Sequence, residues 1–284
     1  MPKGVARSGR RMTKKYLASL NGTVHTTYKA PAAFVPVESR FTINQRFGFV
    51  TDMVQMLAKG KQASVVITGP GGLGKTFTVL KALEGCGLKD ISSLESFEVG
   101  TRVDPKKAFR CIKGYATPKG LYRALYENKD GILVFDDCDS VLKEPTSLSL
   151  LKGALDSYSK RILSYRADIR DEDLPNVFEF NGKVVFISNL PSQAMDQAII
   201  TRSLAVDLAM TTAQKVDRIR FLANDKGFME DQPQNFKLDA VDLIDSLKDR
   251  IRELSLRTLI QVVNIRASAP MAKWKDLSEY ACCG

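Results

Sequence analysis

The sequence predicts an α/β fold in which helices cover both faces of a parallel β-sheet and an all-helical segment follows. Short apolar runs alternate with helical patterns along residues 41–209, and such alternation is typical of a parallel sheet. The runs are too short for buried helices and contain many β-branched residues, as buried strands do. Downstream, only helical patterns remain, at roughly 212–225, 239–251 and 255–267.

The predicted elements follow one another in a regular order. A helix with apolar residues at three- and four-residue steps begins at Ile43, and Gly60 ends it. Five strands are predicted, at 64–68, 109–113, 132–135, 184–188 and 204–208. Between them lie predicted helices at 75–83 and 147–158, and a third that starts at Thr117 as N-cap with Pro118 in its first position.

The chain is accordingly divided into four parts. We expect a flexible arm at 1–40, an α/β core at 41–209, an α-helical domain at 210–270 and a C-terminal tail at 271–284. The segment 161–182 reads as an acidic, loop-like insertion, and its role stays open. So does the role of the adjacent cysteines Cys282 and Cys283.

Composition limits the classes of protein to consider. The 284 residues, 44% hydrophobic and 26% charged, are ordinary for a globular protein with a sizeable core. No apolar run approaches the ~18 residues that a membrane helix needs, so we expect a cytoplasmic protein without a membrane partner. The five cysteines lack the spacing of a zinc site, and the three in or beside apolar segments, Cys86, Cys111 and Cys138, are expected to be reduced core residues.

The net charge of +10 is concentrated at the N-terminus. Residues 1–40 contain eight basic residues and a single acid, Glu38, which leaves +3 for the rest of the chain. Three interpretations of this arm are open. It binds nucleic acid through counterion release, it is a solvated leader without a specific partner, or it is an organellar transit peptide.

A glycine-rich turn at 69–76 carries the strongest functional signal. Its sequence, GPGGLGKT, matches G-x-x-x-x-G-K-S/T at every defined position and lies between a predicted strand and a predicted helix. Glycines let successive N–H groups face a phosphate, Lys75 adds a charge, and the Thr76 hydroxyl is a magnesium ligand. We therefore expect ATP and Mg²⁺ to bind here. The predicted contacts are Gly69, Pro70, Gly71, Gly72, Leu73, Gly74, Lys75, Thr76 and Phe77.

The run ILVFDDCD at 132–139 predicts the second half of this site. Four apolar residues form a buried strand, and Asp136 follows at its carboxyl end, where parallel sheets bind ligands. We expect Asp136 to hold Mg²⁺ through water and Asp137 to orient or deprotonate the attacking water. The alternative is that both acids only cap the strand. Asp139 is expected to cap a helix or turn.

Together with three further segments, these motifs resemble the AAA+ class of P-loop ATPases over about residues 41–268. The run VVFISN resembles the sensor-1 strand, which implies that Asn189 helps to place the hydrolytic water. The run AIITR resembles the arginine-finger segment, which implies that Arg202 acts at a neighbouring subunit's γ-phosphate. The run SLRT resembles sensor 2, with Arg257 reaching the nucleotide from a helical lid. An arginine fork suits the charge on a transferring phosphoryl group.

The resemblance also implies an architecture and an assembly. It implies a three-layer core with a five-stranded parallel sheet in the order 5-1-4-3-2, a small helical lid and a homo-oligomeric, hexameric ring. One position departs from the class, which usually has Asp-Glu where this chain has Asp136-Asp137, and we expect slower hydrolysis. The runs KGYATPKGLY and FDDCDS also resemble uncharacterised ATPases of tailed bacteriophages.

The substrate stays open between two classes. In the resembled class, the loop after the second strand faces the ring's pore; here it carries Lys113, Tyr115 and Lys119. An aromatic ring can grip a polymer and lysines favour phosphates, so one hypothesis is a motor on DNA in phage replication, recombination or packaging. The other is a loader or chaperone-like switch with a protein partner. Alternatively, Tyr115 packs between helix and sheet. A small-molecule kinase is disfavoured because the arginines imply subunit contacts.

Overall fold

The computed structural model describes residues 39–93, 104–114, 116–166 and 174–284. Almost all of the basic arm, Tyr115 and the acidic part of the insertion at 171–173 lie outside these ranges. The predictions about them therefore stay predictions.

Helices and strands alternate through the core, as predicted. The first half contains α1 (Ile43–Ala58), β1 (Ser64–Thr68), α2 (Lys75–Gly85), β2 (Lys89–Asp90), β3 (Ala108–Lys113), α3 (Pro118–Glu127), β4 (Ile132–Asp136) and α4 (Pro145–Ala154). The second half contains β5 (Ile162–Ser164), β6 (Val177–Glu179), β7 (Lys183–Ser188), α5 (Gln197–Thr201) and β8 (Leu204–Asp207). Four helices follow: α6 (Thr212–Ala223), α7 (Gln234–Leu247), α8 (Leu256–Ser268) and α9 (Trp274–Cys283).

The main sheet is parallel throughout, with strand order β2-β3-β4-β7-β1-β8. The five predicted strands are β1, β3, β4, β7 and β8. When these five are numbered 1 to 5 along the chain and the sheet is followed from β8, they stand in the order 5-1-4-3-2 that the resemblance implies. The prediction of a five-stranded sheet is wrong by one strand, because β2 pairs with β3 at the edge. A two-residue exposed strand has no apolar pattern by which the sequence could show it.

The sheet is buried between two layers of helices. Alternate residues of β1 point to opposite sides: Val65 packs with α1, α2 and the C-terminal helices, whereas Val66 packs with α3 and α4. Strand β4 alternates in the same way, with Val134 on the first side and Phe135 on the second. A strand buried on both faces reads as a continuous apolar run, and this explains why these strands were predictable.

Two helices and one insertion differ from their predicted bounds. Helix α4 ends at Ala154 rather than at 158, since the following Asp and Ser residues favour turns. Helix α7 begins at Gln234, five residues before its predicted start. The insertion contains an antiparallel hairpin, β5–β6, in which Leu163 pairs with Phe178 and both are buried. Strands of three residues are too short to show a period.

The segment 271–284, interpreted as a tail, contains helix α9. Trp274 is only 4% exposed, and the guanidinium carbon of Arg266 lies 5.1 Å from the centre of its indole ring. An ion pair of 2.6 Å joins Arg250 to Glu279. Cys282 is buried in the same core. Across the described ranges, no helix has the length and hydropathy that crossing a membrane requires.

Replacing Trp274 by alanine tests whether α9 is part of the folded domain. Removing a buried Trp side chain leaves a cavity, so we expect Trp274→Ala to lower the free energy of unfolding by about 3 kcal/mol. Leu277→Ala, on the exposed side of the same helix, should change it by less than about 0.5 kcal/mol. Urea denaturation followed by circular dichroism measures both. Equal, small effects would mean that the segment behaves as a tail.

Candidate active site

The glycine-rich turn joins the carboxyl end of β1 to the first residue of α2. Gly72 and Gly74 have φ values of 71° and 90°, a region that glycine enters without the cost that other residues meet. Gly74 is the N-cap of α2, and no side chain caps the helix there. The first N–H groups of α2 are therefore directed into the turn, which is the arrangement that binds anions.

Lys75 lies inside this turn and is only 5% exposed. Its ammonium group donates to the carbonyl oxygens of Gly69 at 2.7 Å and Pro70 at 2.8 Å, and to Oδ1 of Asn189 at 2.8 Å. Burial lowers the pKa of Lys75 to about 8, although the nearby aspartates, Asp137 foremost, oppose this shift. The cation is thus held by neutral acceptors, which a charged phosphate oxygen can replace.

Asp136 at the end of β4 has a partner on each carboxylate oxygen. The Thr76 hydroxyl donates to Oδ1 at 2.8 Å, and the Lys113 ammonium lies 3.3 Å from Oδ2. Lys113 is next to Asp136 because β3 and β4 are paired with these residues in register. The structure therefore places Lys113 at the carboxylate, and its predicted contact with a substrate stays a prediction.

The oxygen atoms of Thr76 and Asp136 fit Mg²⁺, which prefers oxygen ligands. In the described ranges, no group of three or more His, Cys, Asp or Glu could hold a metal. Mg²⁺ is commonly held by one or two carboxylates together with waters and substrate phosphates. The donor set therefore suits a metal that arrives with a nucleotide rather than a permanently bound one.

Asp137 follows the strand with a φ of 55°, a left-handed conformation that aspartate tolerates better than most residues. Its N–H donates to the carbonyl of Ile187 at 3.0 Å. Burial and the adjacent Asp136 raise the pKa of the Asp137 carboxyl, against the opposing effects of Lys75 and of a hydrogen bond from Asn189. A carboxylate with a raised pKa is a better proton acceptor.

Asn189 joins the two halves of the site. It follows β7, the strand between β4 and β1, so its side chain reaches both neighbours. Its amide oxygen accepts from Lys75, and its side chain hydrogen-bonds Asp137. The expectation that Asn189 helps to place a water stays a prediction, but the structure brings it into contact with the candidate base.

Helix α8 contacts the turn from the other side. The Leu256 N–H donates to the carbonyl of Gly72 at 2.8 Å. Arg257 lines the same cleft, which has a volume of about 460 Å³ and also includes Phe77. Its side chain is 75% exposed, and its guanidinium lies 3.9 Å from Glu253. The structure thus brings Arg257 to the rim of the cleft.

Arg202 is not part of this cluster. The Ser64 hydroxyl donates to its backbone carbonyl at 3.0 Å, at the start of β1, whereas the turn follows the end of β1. A strand of five residues spans roughly 16 Å, more than an arginine side chain can bridge. Of the predicted substrate contacts, Lys119 lies in the first turn of α3 and Tyr115 lies outside the described residues.

Arg218 on α6 is a further residue beside the turn, and the sequence does not predict it. This residue is buried, its guanidinium carbon lies 3.7 Å from the centre of the Phe47 ring, and its Nη1 donates to Asn44. Its Nη2 lies 3.8 Å from where a Cβ on Gly74 would be. Burial lowers the pKa of Arg218 to about 10. Only contacts between distant segments reveal it, because a lone arginine on a helix gives no signal.

Substituting Gly72 tests the contact between the turn and α8. A Cβ at this position would lie 2.9 Å from the Cβ of Ser255, and the positive φ adds strain of about 1 kcal/mol. We expect Gly72→Ala to lower the free energy of unfolding by about 2 kcal/mol. Gly71→Ala is the control, because a Cβ there meets only the Asn189 amide at 3.5 Å. Thermal unfolding compares the two, and equal melting temperatures would contradict the contact.

The chain is similar in sequence to a curated phage protein. No protein-family model matches this chain. It is 27% identical over 243 residues to an uncharacterised 36.7 kDa protein from the nrdC-mobD intergenic region of Enterobacteria phage T4, covering 78% of this chain and 69% of the relative.

Solved structures with a similar arrangement include two of NtrX from Brucella abortus. The complex with ADP has a TM-score of 0.47 and 14% identity over 80% of this chain, and the complex with ATP has 0.48 and 12% over 82%. This chain spans about half the length of either NtrX chain, 49% and 50%. C. elegans PCH-2 has a TM-score of 0.44 and 11% identity, over 84% of this chain and 67% of PCH-2.

Three features of the chain support the predicted resemblance to AAA+ P-loop ATPases. The glycine-rich turn and the paired aspartates meet at one edge of the sheet, the five main strands stand in the implied order, and the sequence relative is a phage protein. The motifs, the strand order and this relative confirm that the chain resembles phage-type AAA+ P-loop ATPases.

Proposed function

We propose that this chain is a Mg²⁺-dependent ATPase of the AAA+ class. The observation that carries the proposal is the 2.8 Å contact between the Thr76 hydroxyl and Asp136, beside the buried Lys75. It puts a phosphate-binding cation, a hydroxyl and a carboxylate together at the carboxyl edge of a parallel sheet. Ligands of such sheets bind at this edge, and MgATP needs these three groups.

The residues have distinct roles in this proposal. The N–H groups of the turn and Lys75 bind the β- and γ-phosphates, and Thr76 and Asp136 hold Mg²⁺. When bound, Mg²⁺ supplies positive charge against the phosphate oxygens. Asp137 accepts a proton from the attacking water, and Asn189 orients Asp137 through their hydrogen bond. Arg257 approaches the phosphates from the rim of the cleft.

The position of Arg202 supports a homo-oligomer. Since it lies at the edge of the sheet opposite to its own turn, it can act at a phosphate only on another copy of the chain. We propose that the copies form a ring, hexameric as in the resembled class, in which each active site is shared between neighbours.

We propose DNA as the substrate that the ring moves or remodels. The support is the charge of residues 1–40, together with Lys119 at the start of α3. One observation favours the alternative, a switch that remodels a protein complex. Lys113 is paired with Asp136, so one of the three residues predicted to contact a polymer lies in the proposed nucleotide site instead. Asp137 is shorter than the glutamate that the resembled class usually has, and this suits slow turnover.

Two substitutions test the ATPase proposal. Lys75→Ala should abolish binding of a fluorescent ATP analogue, because the phosphates lose their cation. Lys59 is an exposed lysine after α1, and Lys59→Ala should bind the analogue normally.

Arg202→Ala should bind ATP within twofold of the unmodified chain but lose at least tenfold in phosphate release. Full turnover by Arg202→Ala at limiting protein concentration would contradict the shared site. A panel of DNA, RNA and unfolded protein as stimulators distinguishes the substrates.

The pKa of Lys75 leads to a pH dependence of ATP binding. With a pKa of about 8 in the chain without nucleotide, the lysine is charged below pH 8 and increasingly neutral above it. Phosphate favours the charged form, so binding above pH 8 takes up a proton and the affinity should fall by up to tenfold per pH unit. Titrations between pH 7 and 9.5 measure this, with calorimetry in two buffers counting the protons. A constant affinity would mean that the free lysine stays charged.

A further inference from the structure

A second polar cavity lies at the other edge of the sheet, where β1 and β7 begin. Its volume is about 540 Å³, and it is about one strand length from the glycine-rich turn. Its walls are basic. They contain four cations, Lys61, Arg161, Lys183 and Arg202, against a single acid, Asp156. Such an excess of positive charge in a concave site attracts anions.

Arg161 lines this cavity, and hydrogen bonds hold its side chain in place. Its Nη1 donates to the carbonyl of Ala154 at 2.7 Å and its Nη2 to that of Gly182 at 2.9 Å. The guanidinium carbon lies 5.2 Å from the centre of the Phe180 ring. These partners are neutral, so they hold the guanidinium in place without compensating its charge.

Lys183 is a second cation of this cavity without a compensating charge. In the described ranges, its ammonium group has no hydrogen bond or ion pair, and its Cε lies 3.7 Å from where a Cβ on Gly60 would be. Burial lowers the pKa of Lys183, and the nearby Arg161 lowers it further. A partly buried charge beside a like charge is unfavourable, so an anion in the cavity would stabilise both residues.

We propose that this cavity receives the terminal phosphate of a nucleotide bound by a neighbouring copy of the chain, with Lys183 and Arg202 supplying the positive charge. The inference rests on the proposed function and adds a second residue to the shared site. Arg202 lines the cavity and cannot reach its own turn. Tyr158, also on its wall, is 75% exposed. An exposed aromatic and an acid on the walls suit a protein surface that carries a phosphate better than a nucleic-acid strand.

Substituting Lys183 tests the inference. Lys183→Met keeps the volume of the side chain but removes its charge. We expect it to bind ATP within twofold of the unmodified chain, to lose at least tenfold in turnover, and to need at least tenfold more protein to assemble with a non-hydrolysable ATP analogue. Mass measurement in solution reports assembly independently of turnover. Lys183→Arg keeps the charge and should retain most of both properties, and Lys59→Met is the control outside the cavity.

A mixing experiment tests whether Lys183 acts across the subunit boundary. Lys183→Met copies keep their own nucleotide site, and Lys75→Ala copies can supply Lys183 but bind no nucleotide. Mixing the two should raise phosphate release at least fivefold above the sum of the separate samples. The doubly substituted chain, Lys75→Ala with Lys183→Met, should give no such rescue when mixed with Lys183→Met.

The outcomes separate this inference from the proposed function. If Lys75→Ala still binds ATP, or Arg202→Ala keeps full turnover, the proposed function itself fails. If those two behave as expected and Lys183→Met assembles and turns over normally, only the role of the cavity is overturned. If Lys183→Met instead weakens binding of labelled DNA, with turnover and assembly unchanged, the cavity is a nucleic-acid contact and the inference is also wrong.

Discussion

The carboxylate of Asp136 is the constraint on which the rest of the site depends. It stands at the end of a strand that is buried along its whole length, so its position is fixed by the packing of the sheet. It accepts from Thr76 and pairs with Lys113, which ties the turn after β1 and the end of β3 to β4. Its charge also acts at a distance, because it raises the pKa of Asp137 and opposes the lowering of that of Lys75.

The order of the strands explains how separate segments meet at this carboxylate. Because β7 lies between β4 and β1, the residue after β7 is adjacent to both, and Asn189 bonds Lys75 on one side and Asp137 on the other. A chain of polar contacts thus links Lys75, the proposed phosphate-binding cation, to the candidate base Asp137. Any shift of Lys75 towards a phosphate changes the hydrogen bonding of Asn189, and with it the environment of Asp137.

Sequence patterns predicted the parts of the site that are local, and missed those that need distant segments. The turn and the strand before it were predictable because their glycines and their continuous apolar run occupy consecutive positions. The N-cap Thr117 was predictable because the proline of the first helical position directly follows it. The strand order came only from the resemblance. Strand β2 and helix α9 were missed because pairing and packing define them rather than a pattern. Arg218 and Lys183 were missed because their burial, and not their identity, makes them unusual.

The polarity of a parallel sheet has a further consequence for assembly. All its strands point the same way, so the carboxyl edge carries the proposed nucleotide site and the opposite edge carries Arg202 and Lys183. If one copy's basic edge completes another copy's nucleotide edge, the two contacting surfaces are different. Such head-to-tail contacts generate a ring when the rotation between copies closes and a filament when it does not. If Arg202 acts at a neighbour's phosphate, its separation from its own turn therefore favours head-to-tail assembly over a two-fold dimer built on one shared surface.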